Sequence, residues 1–168
     1  MKASYKIALC GVFSALSAIT FTLENLFPPL FIPGARLGLS NLFVLLSLTV
    51  LGVRYALVTL SVKALTGCFS SGFFSLVYSL PAGFSALAAE IFLIYTLKAS
   101  VVAASVTGSV INSVTQNAVF CLTANATEYL VYLPYLALTA CLAGLAVGFA
   151  LYVTLNKLPD KLFKEYEI

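Results

Sequence analysis

The stretch Pro33 to Leu46, which reads P-G-A-R-L-G-L-S-N-L-F-V-L-L, decides how this chain is organised. A Pro-Gly turn places Arg36 at the start of an apolar helix, and Asn41 follows one to two turns inside it. A guanidinium and an amide near the end of a membrane helix are costly unless something requires them. The pattern therefore predicts a polar site at the mouth of a hydrophobic bundle.

The composition indicates whether water or lipid surrounds the chain. Its 168 residues are 61% hydrophobic and 9% charged, whereas about a quarter of the residues in a soluble domain carry charge. Because such a chain lacks the polar surface that water requires, it is predicted to be an integral membrane protein with no nucleic-acid partner.

The chain lacks the residues from which common catalytic and metal sites are built. It has no histidine, and Asp160 is its single aspartate. The four cysteines lie in apolar segments and form no C-x-x-C pair: Cys10, Cys68, Cys121 and Cys141. This pattern is more typical of small buried side chains than of metal binding or redox chemistry. We therefore expect a non-enzymatic protein with no cofactor and no metal.

Six apolar segments predict six membrane helices in a single membrane domain that covers residues 1–168. The approximate spans are 7–23, 37–51, 56–69, 73–97, 99–122 and 129–155. The predicted fold class is an all-α integral membrane protein, a six-transmembrane-helix bundle. Residues 156–168 are predicted to form a cytoplasmic tail.

The distribution of positive charge predicts the orientation of this bundle. With six spans both termini share a side, and that side holds almost all of the loop and tail cations: Lys2, Lys6, Arg54, Lys98, Lys157, Lys161 and Lys164. The opposite loops hold Arg36. The positive-inside rule therefore predicts that both termini are cytoplasmic.

Two opposite charges are predicted inside the membrane. Lys63 lies about nine residues beyond Arg54 on the third span, which is roughly 13 Å along the helix. Glu90 lies at a similar depth on the fourth span, about eight residues before Lys98. The pair predicts either a structural ion pair, which lowers the cost of burying each charge, or a cavity in which Lys63 binds an anionic ligand.

Polar side chains of the fifth span are predicted to lie at the same depth in the membrane as Arg36 and Asn41. Asn112 and Gln116 are four residues apart and share a helix face, with Asn117 beside them. Together with Arg36 and Asn41 they occupy the outer half of the bundle. They are predicted either to form interhelical hydrogen bonds or to bind a ligand whose carboxylate or phosphate suits the guanidinium.

Small residues follow one another at helical spacing along the first span. Gly11 and Ala15 are four residues apart, as are Ser14 and Ala18. Such faces allow helices to approach closely in lipid. The pattern predicts either packing within the bundle or docking of another subunit.

The Pro33–Asn41 stretch resembles the membrane family called Gx transporters, which is also labelled heptaprenyl diphosphate synthase component I. It is similar as well to the substrate-binding S components of energy-coupling factor (ECF) vitamin transporters. The matching residues are Pro33, Gly34, Arg36, Gly38, Leu39 and Asn41, with Lys63 in the third span and Asn112 and Gln116 in the fifth. Arg36 replaces the more usual lysine, and Lys63 stands where arginine is more usual, which removes bidentate anion binding there.

The resemblance implies a six-helix bundle of S-component type in a bacterial plasma membrane. It implies a subunit that captures a small vitamin-like metabolite, or an isoprenoid or quinone precursor, from the outer side. Transport would require a transmembrane coupling protein and two cytoplasmic ATPase subunits. Gly11, Ala15 and Ala18 match the small residues that contact the coupling protein in S components.

Two other functions remain open at the level of the sequence. The first is a membrane subunit of an isoprenoid or quinone biosynthetic enzyme, although a synthase site of its own would require clustered aspartates. The second is a small scaffold in a membrane redox complex.

Overall fold

The computed structural model describes residues 3–26, 38–125 and 127–157, so Arg36 and most of the 156–168 tail lie outside the described residues. The described chain is helical almost throughout. Its α-helices are α1 (Ala3–Leu26), α2 (Leu39–Leu51), α3 (Val53–Ser71), α4 (Phe73–Ile91), α5 (Val101–Ala124) and α6 (Leu133–Lys157). A π-helical turn, Phe92–Thr96, continues α4, and a 3₁₀ turn, Thr127–Tyr132, precedes α6.

The six predicted segments coincide with the six helices to within a few residues. Helix α1 is longer than predicted at both ends, since it begins at Ala3 and ends at Leu26, whereas the predicted span was 7–23. Hydropathy marks the apolar part of a helix, but Lys6 and Glu24 are good helix formers, so the helix continues through them. The all-α prediction is confirmed.

Three segments are long and apolar enough to cross a membrane: Ala3–Glu24, Phe73–Thr96 and Glu128–Lys157. Leu39–Leu51 is apolar but shorter, at about 20 Å for 13 residues. These helices support the assignment as a membrane protein. Six crossings and cytoplasmic termini remain predictions.

Two glycines allow successive helices to follow one another with almost no loop. Gly52 separates α2 from α3 with φ 98°, and Gly72 separates α3 from α4 with φ 83°. Both values lie in the region where a Cβ is strained. Glycine at these two positions therefore reverses the chain within a single residue.

The first three helices meet through small hydroxyl groups as well as apolar side chains. Ser14 Oγ on α1 donates to Thr59 Oγ1 on α3 at 3.3 Å, and Thr59 Oγ1 donates to Ser47 Oγ on α2 at 3.3 Å. Ser17 Oγ donates to the Ser40 carbonyl at 3.0 Å. Because interhelical hydrogen bonds are favourable in lipid, these contacts hold α1, α2 and α3 together.

Helices α5 and α6 pack closely against each other because glycines on α6 lie against the backbone of α5. A Cβ on Gly144 would lie 2.8 Å from Val106 Cα, and a Cβ on Gly148 would lie 2.9 Å from Val102 Cα. Ser105 Oγ also donates to the Gly144 carbonyl at 2.9 Å. The two helices are antiparallel, since later residues of α5 contact earlier residues of α6.

Candidate functional site

A polar pocket opens at the end of the bundle where α1 ends and α2 begins. Five helices contribute to the lining: Phe21 and Glu24 from α1, Gly38, Ser40 and Asn41 from the start of α2, Leu60, Lys63 and Ala64 from α3, Ser79 and Gly83 from α4, and Asn112 and Gln116 from α5.

Lys63 supplies the positive charge of the pocket wall. Its side chain is 8% exposed, and its ammonium donates a hydrogen bond to Asn41 Oδ1. The ammonium also lies 5.7 Å from the centroid of the Phe21 ring, a geometry in which a cation is attracted to the face of the ring. Three helices therefore hold this cation at the pocket.

The amides of α5 face the same space. Asn112 and Gln116 both line the pocket, as expected for residues four apart on one helix. No hydrogen bond between described residues uses either amide. These side chains therefore present hydrogen-bond donors and acceptors to the pocket.

Glu24 is a pocket residue that lies just beyond the predicted first span, 7–23. Its Oε1 accepts a hydrogen bond from the Leu39 backbone N–H, and its Oε2 accepts one from Ser40 Oγ at 3.2 Å. Gly38 precedes α2 and has no side chain to cap it, so a carboxylate from α1 takes that role at the positive end of the helix dipole. The sequence signal was an acid at the end of an apolar span, but its partners are 15 and 16 residues further along the chain.

Glu90 lies deeper in the bundle than the pocket lining. Its side chain is 5% exposed and packs against Gly108, where an added Cβ would lie 2.8 Å from Glu90 Cδ. Lys63 lines the pocket, as the cavity alternative predicts, whereas an ion pair between Lys63 and Glu90 stays a prediction.

One predicted site residue of α5, Asn117, does not line the pocket. Its Oδ1 accepts a hydrogen bond from Cys121 Sγ at 3.6 Å. One residue along a helix turns the side chain by about 100°, which directs Asn117 away from the face of Gln116. The predicted role of Arg36 stays untested because it lies outside the described residues.

The predicted docking residues lie on the outer side of α1. Gly11 and Ala15 are exposed and Ala18 is half-buried. Among the described residues, no atom outside α1 lies within 4 Å of a Cβ added at Gly11. Ser14, in contrast, is buried against Thr59. The Gly11–Ala15 pair is therefore not used for packing among the described helices.

The fold and the pocket together define a class: a small all-helical membrane protein with a cationic, amide-lined pocket at one end. The profile of the family described as heptaprenyl diphosphate synthase component I matches residues 13–154, and the chain belongs to this family. This confirms the resemblance to that family, whereas the similarity to the S components of ECF transporters stays a prediction. Comparisons with curated proteins and with solved structures gave no match.

Proposed function

We propose that this protein is the ligand-binding membrane subunit of an ECF-type importer in a bacterial plasma membrane. The observation that carries the proposal is the convergence of Asn41, Lys63, Asn112 and Gln116, from three helices, on one pocket. The sequence alone predicts all four as binding residues. An apolar bundle of this size has few other reasons to gather an ammonium and three amides.

The chemistry of the pocket favours an anionic or amphipathic metabolite. Lys63 provides a cation, and the positive end of the α2 dipole lies in the same wall, at Gly38 and Ser40. Asn112 and Gln116 provide neutral donors and acceptors that suit oxygen and nitrogen atoms of a ring or chain. Vitamin-like compounds and isoprenoid or quinone precursors fit this description.

The outer face of α1 provides the surface for a transmembrane coupling protein. Gly11 and Ala15 expose backbone that another helix can approach closely. In this proposal two cytoplasmic ATPases drive transport through the coupling protein, and the present chain contributes binding alone.

The family description favours one second candidate. A protein described as a component of a heptaprenyl diphosphate synthase would present a prenyl substrate or product to a soluble catalytic partner. The same pocket would then bind a diphosphate head group at Lys63. The two candidates share the binding site and differ in the partner.

The test is mass spectrometry of the protein purified gently from its native membrane, covering both bound subunits and extractable small molecules. We expect two ATPases, a coupling protein and a vitamin-like metabolite. A prenyl synthase without ATPases would establish the second candidate, and a redox complex would overturn both.

Single substitutions test whether the retained metabolite binds in this pocket. Asn112→Leu should reduce the retained amount by about tenfold, because a lost polar contact costs on the order of 1–2 kcal/mol. Asn156→Leu, the same change at an exposed position of α6, should leave retention unchanged. Equal retention in the two folded variants would contradict the proposed site.

A further inference from the structure

The described wall of the pocket contains two charged side chains of opposite sign, Lys63 and Glu24, and its other described residues are uncharged. Lys63 is the cation of the proposed binding site. Glu24 caps the start of α2, and the proposed function gives it no contact with a ligand. A carboxylate in a binding pocket repels an anion and attracts a cation, so Glu24 limits the ligands that the pocket can accept.

Consecutive residues of α2 hold the two charges. Ser40 Oγ donates to Glu24 Oε2 at 3.2 Å, and Oδ1 of the next residue, Asn41, accepts a hydrogen bond from the Lys63 ammonium. Helix α1 provides a second link. The Lys63 ammonium lies 5.7 Å from the centroid of the Phe21 ring, and Glu24 follows Phe21 by three residues on the same face of α1. Carboxylate and ammonium are therefore both fixed at the first turn of α2.

The Glu24 carboxylate keeps acceptor positions that its role as a cap does not use. Within the described part of the chain, its hydrogen bonds come from the Leu39 N–H and the Ser40 hydroxyl, and it forms no ion pair. An ionised carboxylate offers about four acceptor positions, so about two remain. Because Glu24 is half-buried and lines the pocket, a donor inside the pocket can use them.

We propose that the pocket binds a dipolar metabolite, one that carries both an anionic group and a cationic nitrogen with an N–H donor. The anionic group binds at Lys63, and the cationic nitrogen donates to Glu24. Each charge of the pocket wall then meets an opposite charge, and the bound molecule adds no net charge to the apolar bundle.

Electrostatics favours such a molecule over a simple anion. A cationic N–H group at Glu24 forms a charge-assisted hydrogen bond, which is stronger than a bond between neutral groups. An anion without this group would place a second negative charge close to the Glu24 carboxylate, and like charges are costly where water is partly excluded. The pocket therefore selects by repulsion as well as by attraction.

This inference rests on the proposed function and narrows its ligand class. Vitamin-like compounds that combine an acid with an amine meet the requirement. Prenyl diphosphates contain no nitrogen and do not meet it. The chemistry of Glu24 therefore favours the importer over the second candidate.

The experiment is identification by mass spectrometry of the small molecules that the wild-type protein retains through gentle purification. We expect a metabolite with both an acidic group and a basic nitrogen. A retained metabolite that lacks either group would overturn this inference and leave the binding function intact, whereas a wild type that retains no small molecule would overturn both. This readout needs no variant, so it holds even if a substitution at Glu24 prevents folding.

Glu24→Gln measures the contribution of the carboxylate. Retention of the same metabolite should fall about tenfold, because a charge-assisted hydrogen bond is lost. The glutamine keeps a side-chain oxygen that can accept from the Leu39 N–H. Ser40→Ala weakens the cap but keeps the charge, so it should reduce retention less than Glu24→Gln does.

Glu128→Gln is the matched control, since it removes the charge of an exposed acid in the 3₁₀ turn before α6 and should leave retention at the wild-type level. Wild-type retention in folded Glu24→Gln would overturn the proposal. So would an equal loss in Glu128→Gln, or a loss in Ser40→Ala as large as that in Glu24→Gln, because the cap alone would then explain the effect.

Discussion

At the scale of single residues, the energetics of Lys63 explain why a charge is tolerated in this bundle. An isolated ammonium in an apolar interior is strongly disfavoured. Here it donates to Asn41 and lies over the Phe21 ring. Each interaction offsets part of the desolvation cost, and together they position the ammonium at the pocket wall.

Glu24 gives a prediction at this scale. Glu24→Ala removes both acceptors at the start of α2, the one for the Leu39 N–H and the one for Ser40 Oγ. We expect a loss of about 1–2 kcal/mol of stability, the usual value of a helix cap and a charge-assisted hydrogen bond. Thermal unfolding in mild detergent measures it.

Glu128→Ala is the control for this change, because Glu128 is an exposed acid in the 3₁₀ turn before α6. It should alter stability by less than about 0.5 kcal/mol. If both alanine variants unfold at the wild-type temperature, the carboxylate of Glu24 does not stabilise α2.

At the scale of helices, small residues have two different uses that their spacing does not distinguish. Gly144 on α6 lies against the backbone of α5, where a Cβ would meet Val106 Cα and the Ser105 carbonyl oxygen at 2.8 and 3.0 Å. Gly11 on α1 is exposed and meets no neighbouring helix within 4 Å. Only one of these glycines brings two of the described helices together.

This difference predicts opposite effects for the same substitution. Gly144→Ala should destabilise the protein by about 1–3 kcal/mol, because backbone atoms cannot move aside as a flexible side chain can. Gly11→Ala should be neutral or stabilising by up to about 1 kcal/mol, because alanine favours the helix. Thermal unfolding of the two variants side by side tests both, and equal stability would contradict the observed α5–α6 packing.

At the scale of the whole molecule, the two ends of the bundle differ in character. The pocket and Glu24 lie at the end where α1 finishes and α2 starts. The exposed cations Arg54, Lys98 and Lys157 lie at helix ends on the other side of the antiparallel bundle. This asymmetry is the one that the positive-inside rule associates with a cytoplasmic face.

The orientation leads to a prediction for reporter fusions in a bacterial host. Green fluorescent protein fused after Ile168 should fluoresce, because that side is predicted to be cytoplasmic. Alkaline phosphatase fused after Asn125, in the connection between α5 and α6, should be active, because that side is predicted to face outward. Exchanging the reporters should abolish both signals, and the reverse pattern would refute six crossings with inner termini.

The sequence by itself indicated that lipid surrounds the protein, that the chain is helical, and which polar residues form the predicted binding site. Apolar content and length identify membrane helices because every backbone group in lipid must find a partner within its own helix. Asn41, Lys63, Asn112 and Gln116 were recognisable because polar groups at such depth are costly and therefore rare. The helix ends at Gly52 and Gly72 follow from the conformational freedom of glycine.

Only the tertiary structure decided how these residues are combined. It placed Glu24 on the start of α2, turned Asn117 away from the pocket, and set Gly108 against Glu90. Such pairings depend on the rotation and depth of each helix relative to its neighbours. Periodicity fixes the face of a helix on which a residue lies, but close packing between helices decides what that face meets.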